Sequence, residues 1–162
     1  MGVCGCGKST VGQRLAHELG AAFIEGDAFH PPGNVARMAA GIALTDTDRE
    51  GWLAALAARL AEAQRANDSA VLACSALKRR YRDLLRRGAP DLRLVHLHAN
   101  RELLAARLAR RVGHYMPASL LDSQLATLEN PGPDERAITL DAGAAPERLV
   151  QQARAHLQDT PP

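Results

Sequence analysis

Gly2-Val3-Cys4-Gly5-Cys6-Gly7-Lys8-Ser9 is the stretch that decides the fold of this chain. Its spacing is G-x-x-x-x-G-K-[ST], the pattern of a loop that binds phosphate groups. The three glycines let the backbone curl so that successive amide groups can point at phosphate oxygens. Lys8 offers an ammonium group to the β- and γ-phosphates, and Ser9 offers a hydroxyl to Mg²⁺. The alternative is a glycine-rich turn that caps an ordinary helix.

A helix should follow this loop and a strand should precede it. Val11, Leu15 and Leu19 recur at helical spacing, which predicts the helix. A buried parallel strand normally leads into such a loop, yet the pattern begins at residue 2. Loss of about four inward side chains at ~1.5–3 kcal/mol each would cost roughly 6–12 kcal/mol, close to the stability of a whole domain. We therefore expect either that the natural chain starts upstream of Met1, which we favour, or that the fold is weakened.

Length and composition limit the classes of protein that this chain can be. Its 162 residues suffice for one domain, expected to span residues 1–158 with a small lid around 107–128 and a frayed tail at 159–162. The formal net charge of +2 argues against nucleic acid as a partner. No apolar run approaches the ~18 residues of a membrane span, and no basic-then-apolar leader opens the chain. We therefore expect a cytoplasmic protein with no membrane partner, whose three cysteines are reduced thiols.

Strand and helix patterns alternate along the chain. Short apolar runs predict strands at 21–25, 70–74, 94–97 and 138–140, and apolar residues at helical spacing predict helices at 46–66, 77–87, 117–128 and from 146. This alternation is typical of an α/β fold with a parallel sheet covered by helices on both faces. The predicted architecture is a three-layer α/β/α sandwich whose first strand is truncated.

Polar residues follow the first predicted strand at the point where ligands bind in parallel sheets. Glu25 and Asp27 are two residues apart, and His30 comes shortly after them. Two carboxylates at a strand end can have different roles. One can bind Mg²⁺ through water, and the other can orient or deprotonate a substrate hydroxyl. A solvated loop with a turn-forming aspartate is the alternative.

Two further clusters are basic. Lys78 and Arg82 are four residues apart, which predicts that they share one face near the start of a helix, where an anionic substrate group would offset their charge. Arg107 and Arg111 have the same spacing and precede Gly113, a candidate hinge. Arginines on a closing segment could stabilise a transferring phosphoryl group. The alternatives are a solvated basic face and an arginine-rich surface helix.

Together these segments resemble the gluconokinase family of P-loop kinases. The resemblance covers most of the chain, in order and at the family's spacing. It is carried by 1–10, Gly26-Asp27-Ala28-Phe29-His30-Pro31, 44–49, Cys74-Ser75-Ala76-Leu77-Lys78, Gly113-His114-Tyr115 and 123–129. It implies a fold of the P-loop NTPase type, similar to nucleoside monophosphate kinases, and ATP-dependent phosphorylation of D-gluconate at its 6-hydroxyl. A homodimer is also implied.

The resemblance implies roles for individual residues. The catalytic group would be Lys8, Asp27, Arg107 and Arg111. ATP would be held by Gly2, Gly5, Cys6, Gly7, Lys8, Ser9, Thr10 and Arg107, Mg²⁺ by Ser9 and Glu25, and gluconate by Asp27, His30, Arg49, Lys78 and Arg82. The sequence departs from the family's pattern at Cys4 and Cys6, where serine is usual, and at Glu25, where aspartate is common. Another small-metabolite kinase, such as one acting on shikimate, and a non-catalytic nucleotide-binding module are the remaining alternatives.

Overall fold

The strands and helices alternate as the sequence predicts. The computed structural model describes residues 1–110 and 119–159. The strands are β1 (Ala22–Glu25), β2 (Ala70–Ala73), β3 (Leu94–His98) and β4 (Ala137–Asp141). The helices are α1 (Lys8–Leu19), α2 (Pro32–Ala39), α3 (Asp46–Arg65), α4 (Arg79–Gly88), α5 (Arg101–Ala109), α6 (Ser119–Thr127) and α7 (Pro146–Asp159), with short 3-10 turns at Gly26–Phe29 and Pro133–Glu135.

Local signals explain where several helices begin and end. Thr45 and Asp48 form a capping box that starts α3, since each side chain bonds the backbone amide of the other. Asn100 caps α5 through a bond from the amide of Leu103, and Gly20 ends α1 in the left-handed conformation. The sequence prediction omitted α2 and α5, whose short apolar faces are interrupted by small and charged residues. It also started the helix at 77 two residues too early, because α4 begins at Arg79.

The strands form two parallel pairs. β1 pairs with β2 over four residues from Ala22 opposite Ala70, and β3 pairs with β4 over five residues from Leu94 opposite Ala137. The backbone of Met1 and Gly2 lies between the pairs. The Met1 amino group donates to Val95 O at 2.5 Å and Leu97 N donates to Met1 O at 2.9 Å, while Gly2 N donates to Ser75 O at 3.2 Å. Residues 1 and 2 therefore link the two pairs at the end that leads into the phosphate loop.

Helices cover both faces of this sheet, as predicted for a three-layer sandwich. One apolar cluster joins α1, α5 and α7 to β3 and β4, through buried residues that include Leu15, Leu97 and Val150. A second joins α3 and α4 to β1, through residues that include Ile24 and Leu56. Within residues 1–110 and 119–159, no helix combines the length and the apolar character needed to cross a bilayer. The single domain and its lid stay predictions, and residues 111–118 and 160–162 lie outside the described part of the chain.

Candidate active site

The phosphate loop has the backbone geometry that its glycines allow. Gly7 stands immediately before α1 with φ +93°, and Val11 N donates to its carbonyl at 3.0 Å. A Cβ at Gly7 would meet no atom within 4 Å, so the space beside its amide is open to a ligand. Gly2 is needed for a different reason, since a Cβ there would approach Leu97 O to 2.6 Å. The loop thus presents the amino end of α1 to an anion.

Lys8 reaches back over this loop. Its Nζ donates to Val3 O at 3.0 Å, which uses one of the three ammonium donors. Burial opposes the charged form, but the pKa of Lys8 is nevertheless raised because Cys6 and then Asp27 act in the other direction. Lys8 is therefore a cation at neutral pH, held next to the loop that it closes.

One small cavity joins this loop to the residues that follow β1. It measures about 40 Å³ and is lined by Cys4, Gly5, Gly7, Lys8, Ser9, Asp27, His30, Met38, Arg49, Ser75 and Gln124. Pockets for small molecules typically measure about 300–1,000 Å³. A substrate larger than a few water molecules therefore requires one wall of this cavity to move.

A single tryptophan positions the residues after β1. Trp52 lies on α3, is 1% exposed and donates from Nε1 to Gly26 O at 2.7 Å, beside Asp27. Its ring stacks on the imidazole of His30 at a centroid distance of 4.1 Å. Helix α3 therefore fixes the turn that carries Asp27 and the orientation of His30 together.

His30 is a buried neutral imidazole. It is 8% exposed, and its Nδ1 has no hydrogen-bond partner among the described residues. Burial lowers the pKa of His30 to about 4, with Asp27 acting in the opposite direction and Arg49 adding to the lowering. At neutral pH the ring therefore keeps one donor and one acceptor nitrogen, which suits hydrogen bonding to a hydroxyl group.

Arg49 brings a second cation to the cavity. It lies on the first turns of α3 and is 9% exposed. Burial lowers the pKa of Arg49, but a guanidinium remains charged at neutral pH. Among residues 1–110 and 119–159 no hydrogen bond or ion pair to its side chain is present. A buried guanidinium without a bonded carboxylate is well suited to an anionic ligand.

Arg82, in contrast, has its donors engaged within the protein. It is 0% exposed, and Nε and Nη2 donate to the two carboxylate oxygens of Glu135 at 2.6 and 2.8 Å. Nη1 donates to the carbonyl of Glu129 at 2.9 Å, with longer bonds to Ala76 and Leu77. The bonds from Arg82 lower the pKa of Glu135 to about 2. Arg82 does not line the cavity, and its predicted contact with gluconate remains a prediction without support from this geometry.

Lys78 also differs from the sequence prediction. It stands in extended conformation just before α4, so the prediction that Lys78 and Arg82 share one helix face is wrong. Its Nζ donates to both carboxylate oxygens of Asp46, at 2.9 and 3.0 Å, and Arg80 and Tyr81 bond the same carboxylate. Asp46 starts α3 and therefore ties α4 to the helix that carries Trp52 and Arg49.

The remaining predicted residues are spread around the loop. Ser9 lines the cavity, Thr10 is exposed, and Glu25 is half-buried at the end of β1. Arg107 lies on α5 outside the cavity and donates from Nη2 to Ala142 O at 2.8 Å. Arg111 lies outside the described residues. Within the described part of the chain no group of three His, Cys, Asp or Glu side chains is arranged to hold a metal.

Gln124 is a site residue that the motif analysis left without a role. It lies on α6, is 8% exposed, and its Oε1 accepts a hydrogen bond from Cys4 N at 2.7 Å. The sequence did carry a signal, because Gln124 falls between Leu121 and Leu128 at spacings of three and four. A polar residue on the apolar face of a helix indicates a buried hydrogen bond. Helix α6 therefore holds the phosphate loop by its backbone.

The parallel strands, the helices on both faces and the loop before α1 define the P-loop kinase fold, and a family model described as an AAA domain matches residues 1–131. A gluconokinase from Gluconobacter oxydans is 50% identical over 98% of this chain and 89% of its own length. The structure of a gluconokinase from Sinorhizobium meliloti has a TM-score of 0.87 and 48% identity, covering 98% of this chain and 89% of that one. That of a sugar kinase from Janibacter has a TM-score of 0.94 and 48% identity, covering 99% and 93%. The chain belongs to the gluconokinase family.

Proposed function

We propose that this protein transfers the γ-phosphoryl group of ATP to the 6-hydroxyl of D-gluconate. The observation that carries the proposal is one buried cavity that joins the phosphate-loop lysine to Asp27, His30 and Arg49. Lys8 would bind phosphate, and Asp27 would accept a hydrogen bond from a hydroxyl. His30 is a neutral imidazole, and Arg49 would pair with a carboxylate. Membership of the gluconokinase family supports the same reaction.

The loop fits a nucleoside triphosphate because the space beside Gly7 is open and Lys8 stays charged next to it. Ser9 would supply one oxygen ligand to Mg²⁺, and Glu25 would bind the ion through a water molecule. This arrangement is consistent with Mg²⁺ sites in general, where most ligands are phosphate and water oxygens. A Mg²⁺ ion held there would offset the negative charge of the phosphate oxygens. Arg107 and Arg111 are proposed to approach the phosphates from a closing lid.

The acceptor half of the site is proposed to orient gluconate. Asp27 accepts the hydrogen bond of the reacting hydroxyl and aligns its oxygen with the γ-phosphorus, which is the positioning that phosphoryl transfer requires. His30 bonds a neighbouring hydroxyl through its open Nδ1. Arg49 pairs with the carboxylate of the sugar acid, with Lys78 as a second candidate. Because the cavity measures about 40 Å³, we expect one of its walls to move when gluconate enters.

The proposal is tested by following ADP release with D-gluconate, with shikimate and without an acceptor. We expect turnover that depends on gluconate and a product phosphorylated at the 6-position. Lys8→Met is the matched control, because it removes the ammonium while keeping a long side chain, and it should lower kcat about 10²–10³-fold. Equal ADP release without an acceptor would identify an ATPase or nucleotide switch instead, and turnover with shikimate alone would assign a different acceptor. The proposed cytoplasmic location and homodimer are checked separately by fractionation and by light scattering.

A further inference from the structure

Among the described residues, Met38 is the one long apolar side chain that lines the cavity beside the phosphate loop. It lies near the end of α2 and is 3% exposed. The other lining residues are glycines, small side chains, or polar and charged groups. The proposed reaction gives roles to several polar groups but none to a thioether, which is only a weak hydrogen-bond acceptor. Packing against the acceptor is the function that remains for Met38.

Helix α2, which carries Met38, is fastened to the start of α3 by polar contacts. Asn34 is 8% exposed and donates from Nδ2 to Asp48 O at 2.6 Å. Arg37 adds an ion pair to the carboxylate of Asp48 at 3.6 Å. Met38 comes four residues after Asn34, so both side chains lie on the buried face of α2. A fixed helix therefore places Met38 at one point of the cavity wall.

A small apolar cluster packs against Met38 outside the cavity. Its buried members are Met38, Leu44 and Leu120, and it is separate from the two larger clusters that cover the sheet. Leu44 precedes α3, and Leu120 lies on α6. Of these three residues, only Met38 also lines the cavity. Its side chain can therefore move toward the cluster or toward the cavity without breaking a hydrogen bond.

The other long side chains of the wall are less free to move. Lys8 and Gln124 each bond the backbone of the phosphate loop, and His30 stacks on an indole ring. Arg49 is needed in place for the carboxylate of the acceptor under the proposed function. Methionine is unbranched, has three rotatable bonds and adapts its shape to its neighbours. Met38 is therefore the part of this wall that yields most readily to a ligand.

The acceptor offers an apolar surface to such a side chain. A sugar acid carries C–H groups along its carbon chain, between its hydroxyls. Under the proposed function, Asp27 receives the reacting hydroxyl at one end of the acid, and Arg49 pairs with the carboxylate at the other. A longer acid held at the same two points has to bulge, and bulk in the wall opposes the bulge. An apolar wall of this kind typically distinguishes ligands that differ by one carbon about 10–200-fold.

We propose that Met38 is a specificity-determining residue that packs against the carbon chain of the acceptor and limits its length to six carbons. This inference rests on the proposed function, because it requires a sugar acid in the cavity. The thioether moves toward Leu44 and Leu120 as the acid enters and then contacts the C–H groups of the chain. A seven-carbon acid needs more space than this movement provides.

The test compares D-gluconate, which has six carbons, with D-glucoheptonate, which has seven. ADP release gives kcat/KM for each acid with the wild-type chain and with Met38→Ala. We expect Met38→Ala to raise the ratio of kcat/KM for the longer acid to that for the shorter one about tenfold. The KM for ATP should stay close to the wild-type value. Met38→Leu keeps most of the bulk and should restore most of the preference for the shorter acid.

Leu44→Ala is the matched control. Leu44 is a buried member of the same cluster and does not line the described cavity. Urea unfolding should show a loss of stability similar to that of Met38→Ala, whereas the ratio for the two acids should stay that of the wild type. An equal change of the ratio in both variants would show that loosening of α2 is the cause, and would overturn the proposal. If Met38→Ala does not fold, Met38→Val decides, and its ratio should rise less but in the same direction.

The same measurements separate failure of this inference from failure of the proposed function. If the folded wild-type chain phosphorylates neither acid, the proposed function is wrong and this inference falls with it. If the wild-type chain phosphorylates D-gluconate and the Met38 variants keep its preference between the two acids, only this inference is wrong.

Discussion

In the described part of the chain two arginines are buried, Arg49 and Arg82, and they differ in their bonding partners. Arg49 is 9% exposed, lines the cavity beside the phosphate loop and has no bonded carboxylate among the described residues. Arg82 is 0% exposed and forms a two-point ion pair with Glu135 beneath α4. Both were predicted to hold the substrate. The difference shows that a buried cation is available to a ligand only where the fold has not already supplied an anion.

The difference also predicts how each region responds to mutation. Loss of Arg82 should lower the free energy of unfolding, since it leaves a carboxylate buried without its partner. Loss of Arg49 should act on substrate binding, because no bonded protein carboxylate depends on it. Measurements of stability and of kinetics on the same variants therefore separate the two regions.

Arg82→Met should have the largest effect. It leaves the Glu135 carboxylate buried with only its weaker partners, and breaking a buried pair in this way costs about 3–5 kcal/mol. Urea unfolding followed by circular dichroism measures the loss. Arg87→Met, which changes an exposed arginine on the same helix, is the control and should unfold close to wild type. A stable Arg82→Met protein with a raised KM for gluconate would place Arg82 in the site after all.

Low pH should lower the free energy of unfolding through the same ion pair, between Arg82 and Glu135. The pKa of Glu135 is lowered from 4.5 to about 2 in the folded protein, so the unfolded state binds more protons between these values. The stabilisation, roughly 3 kcal/mol, is therefore complete above pH 4.5 and is lost as the pH falls toward 2. Unfolding free energies measured between pH 6 and pH 2.5 should show this decline. Its persistence in Glu135→Gln would assign the decline to other carboxylates.

Arg49→Met should raise the KM for gluconate about 10–100-fold, because a bond between charged groups contributes about 1.5–3 kcal/mol. The KM for ATP and the free energy of unfolding should change little. Arg49→Lys keeps the charge but loses the two-point geometry and should fall between wild type and Arg49→Met. A large loss of stability in Arg49→Met with an unchanged KM would remove the contrast with Arg82.

Gln124→Met should have the smallest effect. It removes the acceptor for Cys4 N, a neutral bond that typically contributes about 0.5–1.5 kcal/mol, and should raise the KM for ATP a few-fold. Gln124→Glu keeps an acceptor oxygen but adds a negative charge beside the phosphates, so it should weaken ATP binding more than Gln124→Met does. The reverse order would show that the hydrogen bond, and not the local charge, governs nucleotide affinity.

Much of the fold follows from short-range patterns in the sequence. The four apolar runs became β1 to β4 within one or two residues, and the glycine pattern of the loop placed the start of α1. The exceptions were short helices. Helix α2 begins with Pro32 and Gly33, and its buried apolar face consists mainly of Met38, so it shows little helical periodicity. Such helices are held by tertiary contacts, which periodicity does not record.

Apart from Arg49, which the family resemblance supplied, the residues that line the cavity were predictable only where their neighbours in space are also near in sequence. Lys8 and Ser9 belong to one loop, and Asp27 and His30 to one turn, so local motifs located them. Arg82 pairs with Glu135, which is 53 positions away, and Gln124 accepts a hydrogen bond from Cys4, which is 120 positions away. Charge spacing on a helix cannot distinguish a cation that awaits a substrate from one already paired across the fold.

Trp52, the only tryptophan in the chain, gives this protein an optical signal of its own. Its indole lies face to face with His30 and bonds the carbonyl beside Asp27. Any ligand that shifts His30 changes the surroundings of that single emitter. Titration with an acceptor, followed by intrinsic fluorescence, can therefore report occupancy of one defined place in the molecule without a label or a coupled enzyme.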